Sequence, residues 1–220
     1  MSAVTALVDP GTTSERLLDA AEQLFADRGV DAVSVRAVNA AAGANVAAVH
    51  YHFGSKEALV EAVLRRRMDT IASRRLAMLA ALPTDARPEV HAVMEALVEP
   101  LAELSADSEG RGRAYVRVLA TLQSGGPDGR ALLGAAFAPQ FLPFDDALAR
   151  ALPDLPDAVR HFRLALVGTL VVQTLADPEA AAAQLGLDPG DHPGVVAALV
   201  DSITGALAAP VTPSRKGSRR

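Results

Sequence analysis

The sequence predicts an all-α protein, with a three-helix helix-turn-helix module at the N-terminal end and a longer helical domain after it. Apolar residues recur at helical spacing between capping residues, prolines and glycines, and we find no convincing alternating strand pattern. Half of the 220 residues are hydrophobic, alanine is abundant and aromatic residues make up only 4%. This composition favours helices that pack closely through small side chains.

Composition and charge exclude several classes of protein. The chain has no cysteine, so disulfides and thiolate metal sites are excluded. The net charge of −5 argues against broad, non-specific coating of nucleic acid, although a small basic module remains compatible with it. The most apolar segment, residues 164–175, is shorter than the ~20 residues of a membrane span. The N-terminus lacks a signal-peptide pattern, so we expect a cytoplasmic protein without a membrane partner.

The first helix is predicted over residues 13–28, after a disordered segment at residues 1–12. Thr12 and Glu15 have the spacing of a capping box. Gly29 is expected to end the helix in the left-handed conformation.

Three further helices follow in quick succession. Ser34 is predicted to cap a helix over residues 35–42, and Gly43 to make the turn after it. Asn45 is predicted to cap a short helix over residues 46–52. Ser55 is then expected to cap a long helix over residues 56–82.

The rest of the chain shows helical patterns separated by proline and glycine. The predicted helices span residues 88–106, 111–124, 128–150, 156–176, 178–186 and 193–208. We expect the 128–150 helix to be interrupted between Pro139 and Pro143, because proline removes a helical hydrogen bond. Residues 209–220 are expected to form a disordered basic tail.

The segment from Ser34 to Lys56 contains no carboxylate, although acidic residues outnumber Lys and Arg by 26 to 21 in the whole chain. Such a segment suits a surface that faces phosphate. The small residues at the start of its second helix permit insertion into the major groove and contact with thymine methyl groups. The Tyr, His and Lys side chains that follow can donate to phosphates.

These residues resemble the DNA-binding domain of TetR-family transcriptional regulators. The resemblance covers roughly residues 13–62 and rests on the small-residue turn Ala42-Gly43-Ala44-Asn45, the cluster Val49-His50-Tyr51-His52-Phe53, and the continuation Gly54-Ser55-Lys56-Glu57-Ala58-Leu59. It implies that residues 13–62 bind double-stranded DNA. The predicted DNA-contacting residues are Ser34, Arg36, Asn45, Val46, Ala47, Ala48, His50, Tyr51, His52 and Lys56. For Arg36, a solvated or ion-paired role is an equal alternative.

The sequence departs from the family pattern in three ways. Asn39 stands where the family usually has a small residue, so it either hydrogen-bonds locally or changes the packing of the two helices. His50 stands where tyrosine is frequent. The second helix also lacks a long polar side chain that reads bases, which favours methyl contacts, water-mediated contacts and DNA shape as sources of specificity.

The resemblance implies that residues 63–208 form a helical domain that binds a small-molecule effector and makes a homodimer. The predicted dimer contacts are Phe162, Leu166, Leu170, Gln173, Val196, Leu199 and Ile203. In the alternative interpretation, the two helices that carry them are ordinary core helices. The predicted ligand-binding residues are Leu97, Leu101, Tyr115, Leu119, Phe137, Phe141 and Phe144.

We therefore predict a DNA-binding transcriptional regulator, a ligand-responsive repressor that holds a near-palindromic operator as a dimer. No cofactor and no metal site is expected. An enzyme with a helical cavity is the rival class, but the sequence lacks a cysteine nucleophile, a spaced His/Glu metal set, a P-loop and a dinucleotide fingerprint. A protein-interaction module with a purely structural helix-turn-helix is the third class.

Overall fold

The structure is a computed structural model that describes residues 12–83, 86–107 and 110–211. The described residues form α-helices and no strand, which confirms the predicted all-α class. The helices are α1 (Thr13–Arg28), α2 (Val35–Ala41), α3 (Ala48–Phe53), α4 (Lys56–Ala80), α5 (Val90–Ser105), α6 (Arg111–Ser124), α7 (Pro127–Ala151), α8 (Asp157–Ala176), α9 (Pro178–Leu185) and α10 (His192–Ala208). The predicted disorder at residues 1–11 and 212–220 lies outside the described residues. Among the described helices, none combines the length and the apolar character that a membrane crossing requires.

The start of α1 is the capping box that the sequence predicts. Thr12 Oγ1 accepts a hydrogen bond from the Glu15 N–H at 3.3 Å, and Glu15 Oε2 accepts one from the Thr12 N–H at 2.6 Å. At the other end, Gly29 has φ 78° and ψ 152°. Its φ is positive, as expected, but its ψ is that of an extended backbone. The predicted left-handed helical conformation at Gly29 is therefore wrong.

Helix α7 is continuous from Pro127 to Ala151, so the predicted interruption at Pro139 to Pro143 is wrong. Each proline removes one hydrogen bond to the carbonyl four residues before it. Those carbonyls belong to Ala135 and Pro139, which are both exposed. Water can satisfy them there, and the helix continues through both prolines.

The chain divides into two compact units, Met1–Ile71 with Leu104–Phe137, and Ala72–Glu103 with Ala138–Arg220. In the first unit, α6 packs against α1. Tyr115 of α6 is fully buried, and its hydroxyl donates to the carbonyl of Leu64 in α4 at 3.0 Å. Helix α6 therefore packs with the N-terminal helices in this unit, and the predicted domain boundary near residue 63 stays a prediction.

Ion pairs join α1 to its neighbours within the first unit. Arg66 and Arg67 of α4 pair with Asp19 and Glu22 of α1, and the Arg67–Glu22 contact is 3.1 Å with Glu22 almost completely buried. A buried carboxylate of this kind requires a charged partner, because desolvation penalises the isolated ion. The pairs fix α1 on α4 in the unit that carries α2 and α3.

In the second unit, buried Arg160 of α8 holds a charged cluster. Its Nε and Nη2 donate to the two oxygens of Asp145 at 2.8 and 3.2 Å, and its Nη1 donates to Asp157 at 2.8 Å. The hydrogen bonds from Arg160, and then the one from His161, hold the pKa of Asp145 below its ordinary value. The same pairing raises the pKa of Arg160. The cluster ties α7 to α8.

We expect Asp145→Ala to destabilise the protein by about 3 kcal/mol at pH 7, because it leaves the buried Arg160 guanidinium without its main partner. The matched control is Asp157→Ala, which removes an exposed carboxylate from the same arginine and should change stability by less than ~1 kcal/mol. Urea unfolding followed by circular dichroism measures both. An equal decrease in the free energy of unfolding for the two variants would contradict this account.

The pH dependence of the Asp145 contribution has a definite sign. The pKa of Asp145 is lower in the folded protein than in the unfolded chain. Its contribution to folding stability is therefore fully present above the pKa of the unfolded chain, and it is lost as the pH falls through the pKa of the folded protein. Below about pH 4, the stability difference between the natural chain and Asp145→Ala should therefore shrink.

Candidate nucleic-acid interface

Helix α2 and the turn after it follow the predicted pattern. Ser34 Oγ accepts a hydrogen bond from the Ala37 N–H at 3.2 Å, which confirms the predicted N-cap. The helix ends at Ala41, one residue earlier than predicted. Gly43 follows with φ 60°, a backbone conformation that costs other residues free energy.

Helix α3 begins at Ala48, two residues later than predicted. Asn45 Oδ1 accepts from the Ala47 N–H at 3.1 Å, so Asn45 closes a turn over Val46 and Ala47. Ala47 is the N-cap residue, and alanine has no side-chain acceptor for the first amides of the helix. Val46 and Ala47 consequently lie in an exposed turn at the entrance of α3.

Asn39 of α2 is 2% exposed and bonds to both sides of that turn. Its Nδ2 donates to the Val46 carbonyl at 2.6 Å, and its Oδ1 accepts from the Val49 N–H at 3.1 Å. Its own carbonyl accepts from the Ala44 N–H at 2.9 Å. Of the two alternatives drawn from the sequence, local hydrogen bonding is the one that the structure has.

The exposed side of α3 and its entrance consists of small, aromatic and imidazole side chains. Tyr51 is 85% exposed and Val46 is 63% exposed. Ala47, His50 and His52 are exposed as well. Ala48 is 8% exposed and belongs to the core with Val49, so the predicted DNA contact at Ala48 is corrected to a packing role.

The imidazole of His50 is fixed by the backbone. Its Nδ1 lies 2.9 Å from the Gly54 carbonyl, and a carbonyl only accepts, so Nδ1 carries the hydrogen. In a neutral His50, Nε2 is then an acceptor, and only the imidazolium has a second donor for a phosphate. The Tyr51 ring contacts the His52 ring edge-to-face, with centroids 5.1 Å apart.

Basic and hydroxyl groups flank α3. Lys56 Nζ lies 3.5 Å from the Asp31 carbonyl, and Ser34 and Arg36 are exposed at the start of α2. Glu57, next to Lys56, has a lowered pKa, because its own backbone N–H and the Ser55 hydroxyl hydrogen-bond to it. This carboxylate stands just beyond the acid-free segment, at the start of α4.

The predicted ligand-binding residues are distributed over both compact units. Leu97, Leu101 and Phe144 of the second unit are buried, as are Tyr115 and Leu119 of the first, while Phe137 and Phe141 are half-buried. In the second unit the Phe141 ring lies close to Gly168 of α8. The ligand-binding role of these residues stays a prediction.

The predicted dimer residues separate into an exposed and a buried group. Phe162, Leu166 and Leu170 of α8 are 64, 47 and 47% exposed and lie four residues apart, so they form one apolar stripe. Gln173 is exposed on the same helix. In α10, Val196 is half-buried, whereas Leu199 and Ile203 are buried within the subunit.

Sequence reasoning did not place Asn39 among the functional residues. The available signal was its position directly after Val38, on the side of α2 where an apolar residue is expected. A polar side chain there must find hydrogen-bond partners in the interior. Within the described residues, no group of three or more His, Cys, Asp or Glu side chains is arranged to hold a metal ion.

Comparison with known proteins supports the resemblance to TetR-family regulators. The family profile "Bacterial regulatory proteins, tetR family" matches residues 17–63, and the profile "Tetracyclin repressor-like, C-terminal domain" matches residues 95–208. Over 65 residues, the chain is 40% identical to the HTH-type transcriptional repressor KstR2 of Mycolicibacterium smegmatis. That match covers 30% of this chain and 32% of KstR2, about a third of the length of the curated relative.

Two solved structures share the fold over nearly their whole length. The fatty acid degradation regulator FadR of Bacillus halodurans superposes with a TM-score of 0.65 at 15% identity, over 91% of this chain and 98% of FadR. SmeT, the repressor of the Stenotrophomonas maltophilia efflux pump SmeDEF, superposes with a TM-score of 0.59 at 20% identity, over 93% of this chain and 100% of SmeT. The resemblance inferred from the sequence is confirmed: the chain belongs to the TetR family of bacterial transcriptional regulators.

Proposed function

We propose that this protein is a transcriptional repressor that binds a near-palindromic operator as a homodimer and leaves it when a small molecule binds. The observation that carries the proposal is the exposed face of α3. It combines small residues at the entrance of the helix with exposed Tyr51 and two histidines, in a segment without carboxylates. This surface suits a duplex better than a protein partner, because a carboxylate-free face is attracted to phosphate.

The roles of the residues follow from their positions. Val46 and Ala47 lie where the chain enters α3, and their methyl groups suit the thymine methyl in the major groove. We assign phosphate contacts to Tyr51, His52 and Lys56, and to Ser34 and Arg36 at the start of α2, because their side chains can donate to phosphate oxygens. Because no long polar side chain extends from the exposed face of α3, we expect specificity to depend strongly on DNA shape and bridging water.

The apolar stripe of Phe162, Leu166 and Leu170 supports the homodimer. Large exposed apolar residues in a row are typical of a surface that another molecule covers. A second copy of the chain satisfies this stripe and also supplies a second α3. A two-fold pair of recognition helices reads half-sites ~34–36 Å apart, which explains why the operator should be nearly palindromic.

Release by a ligand requires that the ligand binds the DNA-free arrangement of the dimer more tightly than the DNA-bound one. Within the second unit, the predicted ligand-binding residues Leu97, Leu101 and Phe144 are apolar and buried, which favours an apolar or mixed ligand. Helix α4 is the covalent link, since it starts directly after α3 and continues from the first unit into the second. FadR is named for fatty acid degradation and SmeT for an efflux pump, so the likenesses do not select one ligand.

A gel-shift titration on DNA fragments that flank the protein's own gene tests the proposal. We expect a retarded complex at low salt that weakens steeply as salt rises, because phosphate contacts release counterions. An enzyme or a protein-interaction module would give no such complex. If no fragment is bound at low salt, the proposed function is wrong.

Lys56→Ala and Tyr51→Ala should both weaken binding on every DNA sequence, but they should differ in salt dependence. Loss of the Lys56 charge should make the slope of log K against log salt less negative by about 1, since one phosphate contact is lost. Tyr51→Ala removes a neutral donor and should lower affinity without a comparable change in slope. Fluorescence anisotropy at four salt concentrations measures both quantities.

The matched control is Arg130→Ala, which removes an exposed cation of α7 outside the helix-turn-helix. It should leave both affinity and slope unchanged. An unchanged slope for Lys56→Ala would remove Lys56 from the phosphate contacts, and an unchanged affinity for Tyr51→Ala would do the same for Tyr51.

A further inference from the structure

The start of α3 lacks a side-chain acceptor at its N-cap residue. The first amides of any helix lack carbonyl partners within the helix. A serine, threonine, aspartate or asparagine at the N-cap normally accepts from one of them. In this chain the N-cap is Ala47, and the side chain of Asn45 is engaged with the Ala47 N–H two residues on. The Ala48 N–H donates to the Asn45 carbonyl at 2.9 Å, so the Val49 N–H is the first amide of α3 that needs an acceptor from outside this turn.

Asn39 supplies that acceptor from the neighbouring helix. Its Oδ1 accepts from the Val49 N–H at 3.1 Å, and Val49 is the second residue of α3. Its Nδ2 donates to the Val46 carbonyl at 2.6 Å, on the other side of Ala47. One buried amide thus holds the backbone on both sides of the turn whose side chains are exposed for DNA.

We propose that Asn39 is a positioning residue for DNA reading, and that its amide fixes Val46 and Val49 so that the entrance of α3 is already in its docking geometry before DNA arrives. This proposal rests on the proposed function and extends it. A segment ordered in advance binds without the loss of free energy that ordering it on contact would require. Asn39 itself is buried and does not touch DNA.

The bonding pattern explains why an amide is required. Val46 offers an acceptor and Val49 offers a donor, so the side chain between them must donate and accept at the same time. Aspartate has nearly the same shape, but its ionised form only accepts and would place negative charge against the Val46 carbonyl. Alanine has neither group, so the Val46 carbonyl loses its donor and the buried Val49 N–H loses its acceptor.

Two variants test the proposal. Asn39→Ala should weaken operator binding by about 10-fold, the shift that one lost buried hydrogen bond gives to a local equilibrium. Asn39→Asp should lose a similar factor at pH 8 and regain part of it towards pH 5.5. Burial raises the pKa of a carboxyl group, and the protonated acid can again donate to the Val46 carbonyl. Affinity is read by fluorescence anisotropy against the natural chain at each pH, so that pH effects common to both proteins cancel.

A control separates positioning from general stability. Val98→Ala makes a cavity in the buried part of α5, in the second unit, and should lower thermal stability without a change in operator affinity. Hydrogen–deuterium exchange of the DNA-free protein gives an independent measure. In Asn39→Ala, peptides that contain residues 44–53 should exchange faster, while peptides of α8 should be unchanged.

Each outcome decides the proposal. Operator affinity within two-fold of the natural chain for Asn39→Ala, or a pH-independent ratio for Asn39→Asp, would overturn it. Unchanged exchange at residues 44–53 would overturn it even if the natural chain bound no DNA, so the result differs from a failure of the proposed function. If Asn39→Ala does not fold, the pH profile of Asn39→Asp still decides.

Discussion

Ala47→Trp is expected to reduce operator binding to the level of non-specific DNA, a loss of about 1,000-fold or more for a specific regulator. Ala47 lies in the exposed turn at the entrance of α3, beside Val46. An indole at this point would hold the helix away from the bases before its methyl groups could reach them. The backbone there has φ −94° and ψ −1°, a turn conformation that does not require a small side chain, so the fold should not change.

The control for this substitution is Ala131→Trp, which adds the same bulk to an exposed position of α7. Both variants should keep the oligomeric state and the helical circular dichroism of the natural chain. Anisotropy titrations with operator and unrelated DNA then give the two affinities. If Ala47→Trp retained specific binding, α3 would not enter the groove by its N-terminal end.

The double substitution Phe162→Asp and Leu166→Asp is expected to give a monomer with about 100-fold weaker operator binding. These are two of the three side chains in the exposed apolar stripe of α8, and aspartate at an apolar interface would have to be desolvated without a partner. The loss in DNA binding arises because linked half-sites bind with an effective concentration that two separate monomers lack. Sedimentation equilibrium and anisotropy measure the two effects on the same samples.

Leu185→Asp is the matched control, since Leu185 of α9 is also an exposed leucine of the second unit, at 50% exposure. It should leave both dimerisation and DNA affinity unchanged. A double variant that remained dimeric would place the interface elsewhere. A monomeric variant with full operator affinity would instead contradict the two-fold reading of the DNA.

Local signals predicted most of the helix-turn-helix, because short-range hydrogen bonds determine its boundaries. Thr12 and Glu15 close a capping box, Ser34 caps α2, and Gly43 makes the turn that its positive φ requires. Each of these involves residues no more than four apart. Patterns of this length are readable from a single sequence.

The errors occurred where the environment of a residue decides the outcome. Prolines predicted a break in α7, but the carbonyls that lose their partners belong to exposed residues and the helix continues. Helix α3 starts two residues late because Asn45 closes a turn before it, and Ala48 lies in the core together with Val49. The bonds of Asn39 join residues seven and ten positions away, across a turn whose geometry the sequence does not specify.

Helices α8 and α10 illustrate a further limit of prediction from sequence. Apolar periodicity shows that α8 and α10 each have an apolar face, but it does not say whether that face is covered by the same subunit or by another one. Leu199 and Ile203 of α10 are buried within the subunit, while Phe162 and Leu166 of α8 are exposed. Only three-dimensional packing separates the two cases.

Hydroxyl-radical footprinting of the natural chain on DNA that flanks its own gene tests the central claim most directly. A dimer that reads DNA through two copies of α3 should protect two short patches on the same face of the duplex, about one helical turn apart, with related sequences in inverse orientation. Ala47→Trp should abolish both patches together. A single continuous protected region without inverse symmetry, or no protection at low salt, would contradict the account.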